Sequence, residues 1–193
     1  MNFLAHLHIA DHCHSSLLGN LLGDFVKGDP HRQLAPDVAS GVMLHRFVDS
    51  YSDHHAIMTE AKALFEGRAR RFAPIALDLF WDHCLARRWH EFHSLSLDEF
   101  CRQAQRRVRL EHVGPLPERY LLVTGNMWRN RWLESYLELA NIELALQRMS
   151  LRSPRMAELA GCFPYLAAHY RRLEELFGHL YPDVLAAARA RGR

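Results

Sequence analysis

Apolar residues recur every three to four positions along nearly the whole chain, and hardly any stretch alternates apolar and polar residues. The first pattern is typical of amphipathic helices and the second of half-buried strands. The one strand-like run, 120–124, is too short to indicate a sheet. With 193 residues, 49% of them apolar, the chain can bury one core. We therefore predict an all-α, single-domain bundle of seven to nine helices spanning 1–193.

Capping residues and prolines predict where several helices begin. Ser15-Ser16 is a candidate cap for the helix that follows, and Pro36 is a candidate first residue of a helix over 36–53. Pro74 is expected to bend or restart a helix over 70–92, and Pro182 to begin a short terminal helix. Other predicted helices cover 96–112, 117–123, 126–149 and 155–177.

Composition argues against several classes of protein. The net charge of +2 is too small for a protein that binds nucleic acid through bulk charge. No apolar run approaches the roughly 18 residues of a membrane span, so no membrane insertion is expected. The four cysteines are widely spaced, and the first residues lack the basic region of a signal peptide. The cytoplasm is the expected compartment.

An ionisable column stands out on the predicted helix 36–53. His45, Asp49 and Asp53 are four residues apart and therefore share one face, which Val38 and Val42 continue as an apolar stripe. The column should face the interior or its edge. A carboxylate turned inward is costly unless it is paired or binds a metal.

The next long helix repeats this anomaly. Asp78 and Asp82 lie one turn apart on the apolar stripe that contains Ile75, Leu85 and Trp89. Two like charges at this spacing repel each other unless a cation or a basic neighbour lies between them. His83 follows Asp82 and points about a quarter turn away, so it would reach the same site if a second metal or a substrate phosphate lies beside the first metal.

Further candidate ligands come from the start of the chain. Asp24 lies at a glycine-rich helix end, and His6 and His8 on the first helix could add ligands; the spacing of His169 does not place it. Such a nitrogen and oxygen set without thiolates suits Mn²⁺, Mg²⁺ or Fe²⁺. A metal would lower the pKa of a bound water and offset charge on phosphate oxygens. Ion pairs with arginine or histidine would satisfy the same acids, so the spacing alone leaves both interpretations open.

A series of short motifs is spread over almost the whole length of the chain: Met1–His8, Gly19–Val26, Leu44-His45-Arg46 with Asp49 and Asp53, Ala73-Pro74-Ile75 with Leu77-Asp78, Trp81-Asp82-His83, Trp132-Leu133, His169-Tyr170 and Tyr181-Pro182. In order and spacing, these motifs resemble those of the holo-acyl carrier protein phosphodiesterase family. The resemblance implies hydrolysis of the phosphodiester that joins phosphopantetheine to a serine of acyl carrier protein. That family is regarded as a divergent branch of the HD phosphohydrolases, so the resemblance also implies an HD-domain-like fold.

The resemblance implies a divalent cation, most simply Mn²⁺, with Mg²⁺ or Fe²⁺ as alternatives. Carried over by position, the implied ligands are Asp24, His45, Asp82 and His83, with Asp49 and Asp78 as further ligands or as residues that orient them. Arg46 is expected to offset charge on the phosphoryl oxygens, and His83 or His45 to protonate the leaving serine oxygen. The chain departs from the HD pattern, because the adjacent pair reads Asp82-His83 and not His-Asp.

Arginines cluster within 102–109, 68–71 and 87–88. Solvated helix faces and a docking surface for an acidic partner explain the clusters equally well, and the resemblance favours an acidic carrier protein. Two other functions stay open: an HD-type nucleotide phosphohydrolase with the same metal chemistry, and a non-catalytic helical adaptor that needs no metal. The sequence predicts no oligomeric state.

Overall fold

A computed structural model describes residues 1–111 and 114–191, and in those residues the chain is helical with no strand, as predicted. The α-helices are α1 Phe3–His12, α2 Leu17–Leu22, α3 Pro36–His54, α4 Ala56–Ala63, α5 Ala69–Arg87, α6 Trp89–Phe92, α7 Leu97–Leu110, α8 Glu118–Arg129, α9 Trp132–Ser135, α10 Leu139–Ser150, α11 Phe163–Ala168 and α12 Tyr170–Arg191. Two 3₁₀ segments, Pro30–Arg32 and Pro154–Cys162, complete the order. Within these residues no helix is both long and apolar enough to cross a membrane.

The prediction of seven to nine helices is too low, because long predicted segments are divided. Arg131 adopts a left-handed conformation with φ 52°, which ends α8 and separates it from α9. The run 120–124, which was strand-like in sequence, lies within α8. The predicted helix end near His112 lies outside the described residues.

The prolines behave in two ways. Pro36 begins α3 as predicted, since the first turn of a helix leaves its N–H groups unbonded and a proline loses nothing there. Pro74 and Pro182 instead lie inside α5 and α12, so the predicted start of a helix at Pro182 is wrong. Pro182 cannot donate the usual helix hydrogen bond, and Tyr181 and Val184, on either side of it, are buried in the core.

Helix α1 forms the centre of the core. Every residue from Leu4 to Ala10 is buried, and α1 contacts α2, α3, α5 and α12. A helix that is apolar nearly all round must be covered on every side. Its first turn is capped by Asp82 of α5, whose carboxylate accepts hydrogen bonds from the backbone N–H groups of Leu4 at 2.8 Å and Ala5 at 3.0 Å.

Helices α2 and α3 pack backbone against backbone. A Cβ atom at Gly19 would lie 2.2 Å from the carbonyl oxygen of Val38 and 2.9 Å from the Cα of Gly41. Of the predicted pair Ser15-Ser16, Ser16 caps α2, because its side chain accepts a hydrogen bond from the N–H of Gly19. This close approach brings the end of α2, with Gly23 and Asp24, against the middle of α3.

Candidate metal centre

His6, His45 and Asp49 converge where α1 crosses α3. One ligand atom from each lies within 4.8 Å of the others. Asp49 joins the two imidazoles, since its Oδ1 is 3.0 Å from His6 Nε2 and its Oδ2 is 3.0 Å from His45 Nε2. The two imidazole rings stack with their centres 3.7 Å apart. Asp24 adds a second carboxylate, with Oδ1 3.5 Å from His45 Nε2.

Hydrogen bonding fixes which nitrogen of His45 is available. Its Nδ1 lies 2.8 Å from the carbonyl oxygen of Asn20, which can only accept, so Nδ1 carries a hydrogen and donates it. Nε2 is buried and has no hydrogen bond of good geometry among the described residues, although the carboxylate oxygens of Asp24 and Asp49 face it. In a metal-binding histidine, one ring nitrogen usually donates to a carbonyl or carboxylate while the other nitrogen is left to coordinate the metal. The donor set therefore fits a divalent cation.

The pKa shifts of the four side chains indicate that the cluster carries an excess of negative charge, which a cation or a proton would offset. Burial lowers the pKa of His45, but Asp24 and Asp49 outweigh it and raise the pKa to about 9. Burial, with the charge of His45, lowers the pKa of His6 to about 4, so His6 is neutral. Burial disfavours the charged form of Asp49, yet the two histidines hold its pKa well below the usual range. The closeness of His45 is the main reason that the pKa of Asp24 is also lowered.

Gly23 makes room for the His45 ring. A Cβ atom at this position would lie 2.1 Å from Cγ and 2.2 Å from Cδ2 of the imidazole. Any side chain here would displace the ring, so the glycine before Asp24 is a requirement of the site rather than of a turn.

Asp78 lies next to this cluster through the amino group of Met1. That group donates a 2.6 Å hydrogen bond to Asp78 Oδ1 and lies 3.5 Å from Asp49 Oδ1. Burial lowers the pKa of the amino group, but Asp78 and Asp49 outweigh it and raise the pKa to about 10. The repulsion predicted for inward-facing carboxylates is relieved here by a bonded amine.

Asp82 and His83 are not brought into the cluster. The carboxylate of Asp82 is fully buried against the first turn of α1, and burial raises its pKa to about 7 although the α1 amides oppose that rise. His83 is bonded at both nitrogens, with Nδ1 2.7 Å from the carbonyl of Tyr136 and Nε2 2.9 Å from the hydroxyl of Tyr170. As metal ligands these two residues stay a prediction.

The remaining candidates have other contacts. Arg46 donates to the carbonyls of Val26 at 2.7 Å and Gly28 at 2.8 Å, so its guanidinium fastens the loop that follows Asp24. Asp53 is exposed one turn beyond Asp49. His8 contacts the hydroxyl of Tyr181 at 2.7 Å, away from the cluster. His169 directly follows α11 and is not part of the cluster.

A cavity of about 640 Å³ opens beside the cluster. Asp24, Asp49 and Asp78 form part of its lining. The side chains across from them come from α8, α9 and α10 and include apolar, amide and arginine groups. This volume falls within the range of roughly 300–1,000 Å³ typical of pockets for small ligands. The acids therefore face a space that a substrate can enter.

Comparisons with known proteins agree on one family. The family model described as acyl carrier protein phosphodiesterase matches residues 1–184. The protein of that name from Yersinia enterocolitica is 44% identical over 189 residues, which cover 97% of each chain. Those from Serratia proteamaculans and Pectobacterium atrosepticum are 45% and 40% identical over 190 residues, or 98% of each chain. No solved structure matches the chain, so the expected likeness to HD domains stays a prediction.

Proposed function

Because this chain belongs to the acyl carrier protein phosphodiesterase family, we infer that it is a phosphodiester hydrolase that acts on holo-acyl carrier protein. The bond cleaved would be the one between phosphopantetheine and the carrier serine, and the products would be apo-acyl carrier protein and free phosphopantetheine. The observation that carries this proposal is the buried Nε2 of His45, which faces two carboxylates at the edge of an open cavity.

We propose that His6, Asp24, His45 and Asp49 hold a divalent cation. When bound, the cation would stabilise charge on the phosphoryl oxygens and make a coordinated water more acidic. Two imidazoles with two carboxylates suit Mn²⁺ or Fe²⁺ better than Mg²⁺, which prefers an all-oxygen set, so Mn²⁺ is the first choice. Asp78 is a candidate for a further ligand, since its carboxylate lines the same cavity.

The protein groups have distinct tasks in this proposal. Asn20 holds the His45 ring through Nδ1, so that once a cation replaces the proton, Nε2 stays unprotonated and its lone pair can coordinate the cation. Asp49 orients both imidazoles from one carboxylate. The side chain of Asp24 is 62% exposed and thus lies where the phosphodiester would enter. Arg46 acts indirectly, because it positions the loop after Asp24 and does not line the cavity.

The positions of the arginines suggest which part of the surface an acidic carrier protein would bind. Many of the arginines in the three clusters are already paired: Arg102 with Asp98, Arg107 with Asp11, Arg68 with Glu158 and Arg88 with Glu91. Arg119 of α8 instead lines the cavity and lies over the ring of Phe25, the residue after Asp24, at 5.9 Å. Among the described residues no carboxylate pairs with it. We propose that Arg119 receives carboxylates of the carrier beside the cleaved bond.

The compartment proposed is the cytoplasm. All four cysteines are free, as a reducing environment would leave them.

The direct test is to incubate the purified protein with holo-acyl carrier protein and Mn²⁺, Mg²⁺ or Fe²⁺ and to weigh the carrier by mass spectrometry. We expect loss of the phosphopantetheine mass, abolished by EDTA and by His45→Ala. His54→Ala is the matched control, because His54 lies on the same helix and is exposed. A carrier that keeps its prosthetic group with all three cations would reject the substrate.

The same assay separates the competing functions. Release of phosphate or pyrophosphate from free nucleotides, with no action on the carrier, would identify a nucleotide phosphohydrolase. Stable binding of the carrier that EDTA and His45→Ala leave unchanged, without turnover, would identify an adaptor.

A further inference from the structure

Helix α10 presents two different faces. Ile142 and Leu146 are fully buried, and α10 packs on the 3₁₀ segment Pro154–Cys162 and on α5. A second face lines the cavity beside the candidate metal centre; we call it the α10 face. It consists of Asn141, Leu144, Ala145, Arg148 and Met149. These positions follow 3-1-3-1 spacing, which is one continuous stripe on a helix.

The α10 face is unusual for a surface that lines a hydrolytic site, because it offers hydrogen bonding and apolar contact but no acid. Asn141 is held in place, since its Nδ2 donates a 2.9 Å hydrogen bond to the carbonyl of Ser135. That bond orients its Oδ1 as an acceptor, and no described residue donates to it. Ala145 and Met149 are half-buried, and Trp132 of α9 adds an aromatic surface to the lining.

This combination matches the chemistry of one part of the proposed substrate. Between its phosphate and its thiol, phosphopantetheine is a linear chain with two amides, a hydroxyl and a geminal dimethyl group. Such a chain needs acceptors for its amide N–H groups and apolar surface for its methyl and methylene groups. From Asn141 to Arg148 the helix rises by about 10 Å at 1.5 Å per residue. The stripe is therefore long enough to contact an extended chain along several of its bonds.

We propose that the α10 face binds the pantetheine arm of the substrate, with Asn141 accepting a hydrogen bond from an amide N–H of the arm. Trp132 and Met149 contact the apolar part of the arm. The face thus selects phosphodiesters that carry this arm, while the cluster at His45 and Asp49 acts on any phosphodiester that reaches it. This inference rests on the proposed function and adds a specificity-determining surface to it.

The test compares three ligands on two variants and a control. The ligands are holo-acyl carrier protein, bis(p-nitrophenyl) phosphate as a phosphodiester without the arm, and free phosphopantetheine in calorimetric titrations. Asn141→Leu keeps the size of the side chain but removes the acceptor, and Ala145→Phe fills the cavity. Gln147→Leu is the matched control, because it removes an exposed amide from α10 outside the α10 face.

For Asn141→Leu we expect KM for the holo-carrier and Kd for phosphopantetheine to rise about tenfold, the worth of one hydrogen bond, with kcat within about twofold of wild type. Ala145→Phe should raise both constants further. The kcat/KM for bis(p-nitrophenyl) phosphate should fall by less than that for the holo-carrier in both variants, and Gln147→Leu should match wild type throughout.

Two results would overturn the inference while leaving the proposed function intact. In the first, wild type releases phosphopantetheine and both variants keep wild-type KM and Kd. In the second, the ester without the arm loses turnover as strongly as the holo-carrier does, which would mean that these residues support the site and do not recognise the arm. A wild-type protein that leaves the holo-carrier intact would instead refute the proposed function.

Discussion

A methyl group at Gly23 should disable the candidate metal centre without unfolding the protein. The added Cβ would lie 2.1 Å from Cγ of His45, whereas ordinary contact begins at 3.4 Å, so the ring would have to move by about 1.3 Å. It is tethered by Nδ1 to the carbonyl of Asn20 at 2.8 Å and stacked on His6 at 3.7 Å. The ring cannot move that far and keep both contacts.

Metal ligands tolerate displacements of only about 0.2 Å. We therefore expect Gly23→Ala to weaken Mn²⁺ binding by about 10- to 100-fold and to reduce turnover of the holo-carrier in proportion. Isothermal titration with Mn²⁺ measures the first, and mass spectrometry of the carrier measures the second. Gly23 already has helical φ and ψ values, so alanine strains no backbone torsion there.

Gly125→Ala is the matched control. Gly125 lies within α8, and a Cβ atom there would have no neighbour within 4 Å. This control should keep wild-type metal affinity and become more stable by about 0.5–1 kcal/mol, the difference in helix propensity. If Gly23→Ala bound Mn²⁺ and turned over the carrier as wild type does, the placement of His45 at the metal would be refuted.

Three further predictions concern a buried carboxylate, a helix cap and the metal. The pKa of Asp82 is raised from 3.8 to about 7, so the stability that its protonated form contributes is present below pH 4 and is lost as the pH rises to 7, by up to about 4 kcal/mol. In urea denaturation at several pH values, Asp82→Asn should flatten this dependence of stability on pH, and loss of Mn²⁺ binding in that variant would restore Asp82 as a ligand. Glu111 accepts hydrogen bonds from the hydroxyl of Ser16 and the N–H of Leu18, so Glu111→Gln should lower the free energy of unfolding by about 1–2 kcal/mol in urea titrations, and an unchanged value would refute this capping role. Mn²⁺ at 100 times its Kd should raise the free energy of unfolding by about 2.7 kcal/mol in wild type and not at all in His45→Ala; an equal gain in both would place the ion elsewhere.

Helical periodicity was sufficient to predict the fold class and part of the candidate site. His45 and Asp49 are four residues apart on one helix, so their shared face follows from local geometry alone, and the structure brings them together. Asp24 was signalled by its glycines, one of which the structure explains by the space that His45 needs. His6 was offered only as a possible addition, because its position opposite Asp49 depends on how α1 crosses α3 and not on spacing within one helix.

Asp82 illustrates why the other candidate ligands could not be assigned from the spacing of residues in the sequence. Its place on an apolar stripe correctly indicated a buried carboxylate that needs a partner. The partners are the first N–H groups of α1, about 78 residues earlier in the chain. A helix terminus and a cation satisfy a carboxylate by the same electrostatics, and only the tertiary arrangement distinguishes them.

The candidate ligands and the α10 face come from opposite halves of the chain. His6, Asp24, His45 and Asp49 all lie within the first fifty residues, while the α10 face lies after residue 140. Under the two proposals made above, reaction chemistry and substrate choice are encoded in separate segments, which can diverge independently. Relatives with altered helices at the α10 position would retain the hydrolytic machinery and accept other phosphodiesters, and directed evolution of new substrate ranges should concentrate its mutations there.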